Sequence, residues 1–168
     1  MTIIIIISII GILYIPLRLV SLKNNLIPIQ GSLIDVTKSS TRIPFYRFRL
    51  SDYPNIFYNS GTGFLSNLKR DKEILYNSVN KEITFFINRK DFSKLGRGDD
   101  IKYVGLQKKN VFIDLFYYDY SSFGKMFFSM FCILMMCLNL YGRYAFKTKI
   151  FEIFILFYLF YVILILIV

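Results

Sequence analysis

Apolar positions divide the chain into two ends that read as membrane helices and a middle that does not. From Ile150 to Val168 the only charge is Glu152. From Met126 to Gly142 there is none, with Ser129 and Asn139 as polar interruptions and Phe123 extending the run at its start. At about 1.5 Å per residue each run crosses most of a hydrocarbon layer about 30 Å thick, which predicts two transmembrane helices. Arg143 to Lys149 leaves room only for a tight turn, so residues 123–168 are expected to form an antiparallel hairpin. At the other end, Thr2 to Leu17 is isoleucine-rich and reaches spanning length if it continues past Arg18 to Leu22, with the arginine snorkelling to the headgroups. Pro16 should kink or end this helix, because it supplies no N–H. No Lys or Arg precedes the apolar run, and Leu17 to Asn25 lacks a small-x-small pattern, so a retained anchor over residues 1–22 is expected rather than a cleaved signal peptide.

Residues 23–122 change character, with Pro28, Gly31, Pro44, Pro54, Gly61 and Gly63 punctuating short runs. Period-2 alternation puts Tyr46, Phe48 and Leu50 on one face and Arg47 and Arg49 on the other, and it recurs in Ile83-Phe85-Ile87, Ile101-Tyr103 and Val111-Ile113-Leu115. Two of these runs flank Gln107-Lys108-Lys109-Asn110, which predicts a hairpin over Ile101 to Phe116. Asp91 is placed as the N-cap of one helical turn, Phe92 to Leu95, stopped by Gly96. Leu65 to Asn80 fits a helix through Leu65, Leu68, Leu75 and Val79, although Ile74 to Val79 also fits a strand. The fold class that follows is a membrane protein of three transmembrane α-helices plus one small β-rich extramembrane domain, an OB-like barrel or a sandwich.

The order of elements carries a resemblance. An apolar anchor leads to a strand opening Gly31-Ser32-Leu33-Ile34-Asp35-Val36, then an aromatic strand Phe45-Tyr46-Arg47-Phe48. Leu95-Gly96-Arg97-Gly98-Asp99-Asp100-Ile101 runs into a later strand, followed by a membrane helix. This layout resembles uncharacterised small bacterial membrane proteins that hold an OB-like or related small β-barrel between transmembrane helices, of the type grouped as domain of unknown function 3592. The likeness covers the whole chain in layout and only short motifs in sequence, and the third helix departs from the simplest two-helix members. It implies a barrel fold and brings no catalytic residues with it.

Composition narrows the chemistry. The chain is 55% hydrophobic and 18% aromatic, has no histidine or tryptophan, and contains only two cysteines, which excludes most zinc sites, His-based triads and disulfide frameworks. Gly61-Thr62-Gly63 with Ser66 lacks both the third glycine of a dinucleotide fingerprint and the Gly-Lys-Ser/Thr of a P-loop, and reads as a turn. Arg97-Gly98-Asp99 reads the same way. Cys132 and Cys137 fall in an apolar helix as small hydrophobes, and Asp99, Asp100, Asp114 and Asp119 as solvated charges. No cofactor, metal or catalytic residue is expected, and the chain reads as a non-enzyme.

Charge sets the remaining expectations. All but four of the 21 Lys+Arg and all but one of the 11 Asp+Glu fall between residues 23 and 125, so the middle is strongly basic. Arg47 and Arg49 beside aromatic strands form a candidate binding face, suited to single-stranded nucleic acid or to anionic headgroups. The basic turn of Arg143, Lys147 and Lys149 is retained on the cytoplasmic side by the positive-inside rule, which puts the central domain on the periplasmic or extracellular face of the cytoplasmic (inner) membrane and disfavours nucleic acid as a partner. Phe116, Tyr117, Tyr118, Tyr120 and Phe123 then read as an interfacial aromatic belt. Asn139 and Glu152 are expected to form an interhelical polar pair, with Arg143 or Lys149 reaching back to the carboxylate. The expected function is a non-catalytic integral membrane interaction protein, either a small subunit of a membrane assembly or a membrane-bound inhibitor of the immunity type. Its partners are the lipid bilayer and another membrane protein or a second copy. The alternative is a tethered barrel binding nucleic acid, oligosaccharide or lipid headgroups.

Overall fold

The computed structural model describes residues 1–38, 45–60, 71–106, 111–120 and 124–167, and its chain divides into two compact units. One unit, residues 21–121, is a small barrel. The other, residues 1–20 and 122–167, is helical.

The barrel is built from β1 (Leu26–Lys38), β2 (Phe45–Leu50), β3 (Ile56–Ser60), β4 (Glu82–Asn88) and β5 (Ile101–Leu106), closed in the order β1-β2-β3-β5-β4. Closure depends on the length of β1. Its first half, Leu26 to Ser32, pairs antiparallel with β4, and its second half, Leu33 to Lys38, pairs antiparallel with β2. A register shift between Leu33 and Asp35 bends the strand where it changes partners, as a bulge does. Just before the bend, a Cβ on Gly31 would lie 2.9 Å from the Asp52 carboxylate and 3.0 Å from Leu50 Cδ1, so this close approach needs a glycine. Parallel pairing of Phe57 with Ile101 and Tyr58 with Lys102 joins β3 to β5 and shuts the ring. The sandwich alternative is therefore set aside in favour of the barrel.

Inward positions fall where the alternation puts them: Phe48, Leu50, Phe57, Ile83, Phe85, Ile87, Ile101 and Tyr103 are all buried. Phe48, Phe57 and Phe85 meet with centroids 4.7 to 5.4 Å apart, and Tyr103 packs 5.3 Å from Phe48. Such pairs add about 0.5–1.5 kcal/mol each beyond the area they bury, and they fill the barrel axis with side chains. Helix α2 (Asp71–Asn77) seats Leu75 in this core and accepts the Tyr103 hydroxyl on Asp71 Oδ2 at 3.0 Å.

Three expectations need correction. The segment Val111 to Phe116 is not the second strand of a hairpin but part of helix α3 (Val111–Tyr120), while residues 107–110 lie outside the described residues. The reason is closure: both edges of β5 are already taken, by β3 and by β4, so no ladder is open to a sixth strand. The segment covers the barrel instead, with Leu115 and Tyr117 buried and Asp114 pressed so close to Gly105 of β5 that a Cβ there would collide with its carboxylate. Second, Asp91 is not an N-cap. A six-residue 3₁₀ turn (Arg89–Lys94) begins earlier, capped by Asn88, whose side chain accepts from the Lys90 amide at 3.1 Å, and Asp91 is buried against Lys94 at 2.7 Å. Gly96, at φ +83°, does follow the turn. Third, of the two outcomes expected at Pro16, a kink or an end, the end is ruled out, because helix α1 (Thr2–Asn24) continues through it. Of the ambiguous stretch, the described part is the helix α2, and residues 61–70 lie outside the described residues.

The helical unit comprises α1 up to Val20, α4 (Gly124–Phe146) and α5 (Ile150–Ile167). Among the described residues three helices are long and apolar enough to cross a membrane: Thr2–Asn24, Met126–Phe146 and Ile150–Ile167. The turn between α4 and α5 is short, with Lys147 at φ +52° and its amide bonded to the Arg143 carbonyl at 3.0 Å. Phe151 lies against Gly142, where a Cβ would be 2.8 Å from its ring, so the hairpin closes on a glycine.

The barrel tyrosines generate a pH prediction. Burial first, and the Asp71 carboxylate second, hold the Tyr103 phenol well above its usual value, and burial with Asp91 and Asp119 nearby pushes Tyr118 up to about 12. In the unfolded chain both ionise at about 10. The folded barrel therefore holds more protons above that pH, and its stability is full below about pH 10 and falls as the pH rises towards about 12. The urea midpoint of the barrel, followed by near-ultraviolet circular dichroism, should be flat from neutral pH to about 10 and decline above it. Tyr103→Phe should lower the midpoint at neutral pH and make the alkaline decline shallower.

Candidate functional site

Polar atoms buried inside the helical unit form one connected cluster. Ser8 of α1 and Asn139 of α4 are fully buried and exchange hydrogen bonds, the Ser8 hydroxyl lying 3.0 Å from Asn139 Oδ1 and Asn139 Nδ2 2.9 Å from Ser8 Oγ. Asn139 Nδ2 also donates to the Met135 carbonyl at 2.7 Å, one turn back in its own helix. From α5, Tyr158 donates to the Ser8 carbonyl at 2.9 Å and Tyr161 to the Ile12 carbonyl at 2.6 Å. The second bond explains how α1 tolerates its proline. A helix carbonyl normally accepts from the amide four residues on, and Pro16 has none to give to Ile12, so the Tyr161 hydroxyl takes that place. Gly11 lies between the two bonds, where a Cβ would run into the Tyr158 hydroxyl. One further apolar groove of about 500 Å³ opens in this unit, lined by Ile10, Gly11, Tyr14, Phe128 and Phe131.

This cluster corrects the expected Asn139–Glu152 pair: each side chain has another partner. Asn139 sits about 12 Å of helix rise before Lys147, whereas Glu152 is only about 4.5 Å beyond Lys149, so the two lie more than one turn apart in depth. Arg143 is at the matching level, and its Nε donates to Glu152 Oε1. Of the basic turn, Arg143 is thus ion-paired, and Lys147 and Lys149 are exposed. The signal that would have found the cluster was present in Ser8, the one hydroxyl within an isoleucine run, and in the tyrosines of α5.

On the barrel, the predicted face is where the alternation put it. Arg47 lies opposite Thr37 and Tyr58, and Arg49 opposite Asp35 and Ile56. Arg47 is 3.6 Å from Asp100 in an ion pair, so part of its charge is answered within the barrel. Arg49 is exposed and stands at the wall of two cavities, one of about 150 Å³ with Asp35 and Thr37 and one of about 640 Å³ with Tyr53, Pro54 and Ile34. Asn55, which sequence reasoning did not single out, is fully buried and fixes the loop beside the larger cavity. Its Nδ2 donates to the Lys94 and Asp99 carbonyls at 2.9 Å, and its Oδ1 accepts the Gly96 amide at 2.7 Å.

The aromatic belt is also corrected. Phe116, Tyr117, Tyr118 and Tyr120 are buried, with Phe116 and Tyr120 in ring contact at 4.8 Å, while Lys102 sits 4.9 Å over the Tyr118 ring and donates to its carbonyl. They are packed because the helix carrying them covers β5. Phe123 lies outside the described residues, as do Gly61, Thr62, Gly63 and Ser66. Among the described residues no group of three His, Cys, Asp or Glu side chains is placed to hold a metal ion. Cys132 is buried and Cys137 exposed.

Against known proteins, no protein-family model, no curated protein and no solved structure matches the chain.

A double-mutant cycle separates the two polar pairings. Ser8→Ala and Asn139→Leu should be coupled by about 0.6 and at most about 1.7 kcal/mol, the range of interhelical bonds in membranes. Asn139→Leu and Glu152→Gln should show no coupling. Both cycles are read from unfolding midpoints in one detergent.

Proposed function

We propose that the three apolar helices span a cytoplasmic (inner) membrane, that the barrel is an OB-like domain on its outer face, and that the chain is a non-catalytic interaction protein. In this reading it is a small subunit of a membrane assembly or a membrane-bound inhibitor. The strand order, with β3 parallel to β5 and a helix between β3 and β4, supports the OB-like assignment. The outward placement rests on the short basic turn of Arg143, Lys147 and Lys149. The resemblance to small bacterial membrane proteins with a tethered barrel agrees with both.

One observation carries the functional reading: among the described residues, the barrel axis and the buried polar groups of the helical unit are taken up by the fold. The barrel axis is filled by Phe48, Phe57, Phe85 and Tyr103, and the polar atoms inside the helical unit are spent on one another and on backbone carbonyls. What is left to recognise anything is exterior surface, which suits a partner protein better than a small substrate. The second reading, a ligand-binding barrel, rests on Arg49 at the wall of its two cavities.

Purification of the full chain in a mild detergent, with mass measured by light scattering, tests the two. The interaction reading expects a defined complex, either several copies of the chain or the chain with one partner in fixed ratio. A lone monomer in several detergents contradicts it, and saturable binding of an oligonucleotide or oligosaccharide by that monomer, lost in Arg49→Ala, would establish the second reading instead.

A further inference from the structure

The C-terminal end of α4 presents a largely exposed stripe, tied to the rest of the fold through the Arg143–Glu152 ion pair. Leu140, Arg143 and Tyr144 stand at i, i+3 and i+4 on one face of the last turns of α4, and Lys147 follows directly after the helix ends at Phe146. They line, with Ala145, an open cleft of about 780 Å³. Along the stripe the chemistry changes in order: Leu140, 54% exposed, then the ring and hydroxyl of Tyr144, 85% exposed, then two cations. Lys147 closes the stripe at φ +52°, a left-handed position that ends helices readily with glycine and at a cost with any other residue. A residue other than glycine at such a position points to a use for its side chain.

We propose that this cleft binds one anionic phospholipid, with an acyl chain along Leu140, the glycerol region at Tyr144 and the phosphate between Lys147 and the outer nitrogens of Arg143. The order of the stripe is the order of a lipid from tail to headgroup, and the charge is complementary. Arg143 and Lys147 bring two positive charges to the cleft, one of them shared with the carboxylate of Glu152. Basic pockets at helix ends collect anionic headgroups because the low dielectric beside them strengthens the attraction. The Arg143–Glu152 pair assists by fixing the guanidinium at the edge of the cleft. The site rests on the membrane-spanning reading and goes beyond it, since a spanning helix needs no lipid preference.

The test uses the full chain in mixed micelles of phosphatidylcholine and detergent, at fixed pH and ionic strength, titrated with phosphatidylglycerol while the thermal midpoint is recorded. The wild type should be stabilised saturably. Lys147→Gly, which removes the charge and relieves the backbone, should have a higher midpoint than the wild type without phosphatidylglycerol and need about fivefold more of it for half of the shift. Lys149→Ser removes the same charge from outside the cleft and should keep most of the wild-type response. Equal loss in the two variants, or an undiminished response in Lys147→Gly, overturns the cleft. So does an equal shift from inorganic phosphate, which would make the site one for a free anion. Flotation of the protein with pure phosphatidylcholine vesicles is the separate control: insertion there without any phosphatidylglycerol effect sinks the lipid site alone, and failure to insert sinks the membrane reading with it.

Discussion

A backbone amide or carbonyl that water does not reach must be bonded to something else, and both units of this protein are organised by that requirement. In the barrel it is met by closure. β1 is long enough to pair with β4 along one half and β2 along the other, and the short parallel contact of β3 with β5 removes the remaining edges. In the helical unit it is met by side chains. Pro16 opens a gap in the hydrogen-bond ladder of α1, and Tyr161 of α5 fills it at the Ile12 carbonyl.

The same requirement explains what can be read from the sequence. Long uncharged runs and strict alternation report on the burial of whole faces, so the three apolar helices and strands such as Phe45–Leu50 are legible from local pattern. The fate of Val111-Ile113-Leu115 is not, because its composition suits a strand and only the occupancy of both β5 edges forbids one. The aromatics from Phe116 to Tyr120 mislead for a related reason: a belt at the headgroups and a helix face packed on a barrel use the same residues, and only burial distinguishes them. Asn139 stands out in its apolar run, but its partner does not. Ser8 lies 131 positions away, and nothing local in the chain links the two. Asn55 carries no signal, since its three bonds depend on a loop that comes together only in the folded barrel.

Among the described residues the surfaces of the two units differ in kind. The barrel offers Arg49 between two cavities, with Asn55 holding the neighbouring loop in place. The helical unit offers mostly apolar faces and, at the end of α4, a graded stripe ending in Lys147.

The claim at the centre of this account is that Tyr161 does for Ile12 what Pro16, lacking an amide hydrogen, cannot. It is tested most directly by measuring the unfolding free energy in detergent of the wild type, Tyr161→Phe, Pro16→Ala and the double variant. Tyr161→Phe should cost stability while Pro16 is present and nearly none once Pro16→Ala restores the missing backbone donor, giving a coupling of about 0.6 and at most about 1.7 kcal/mol. An equal cost of Tyr161→Phe in both backgrounds would contradict the account.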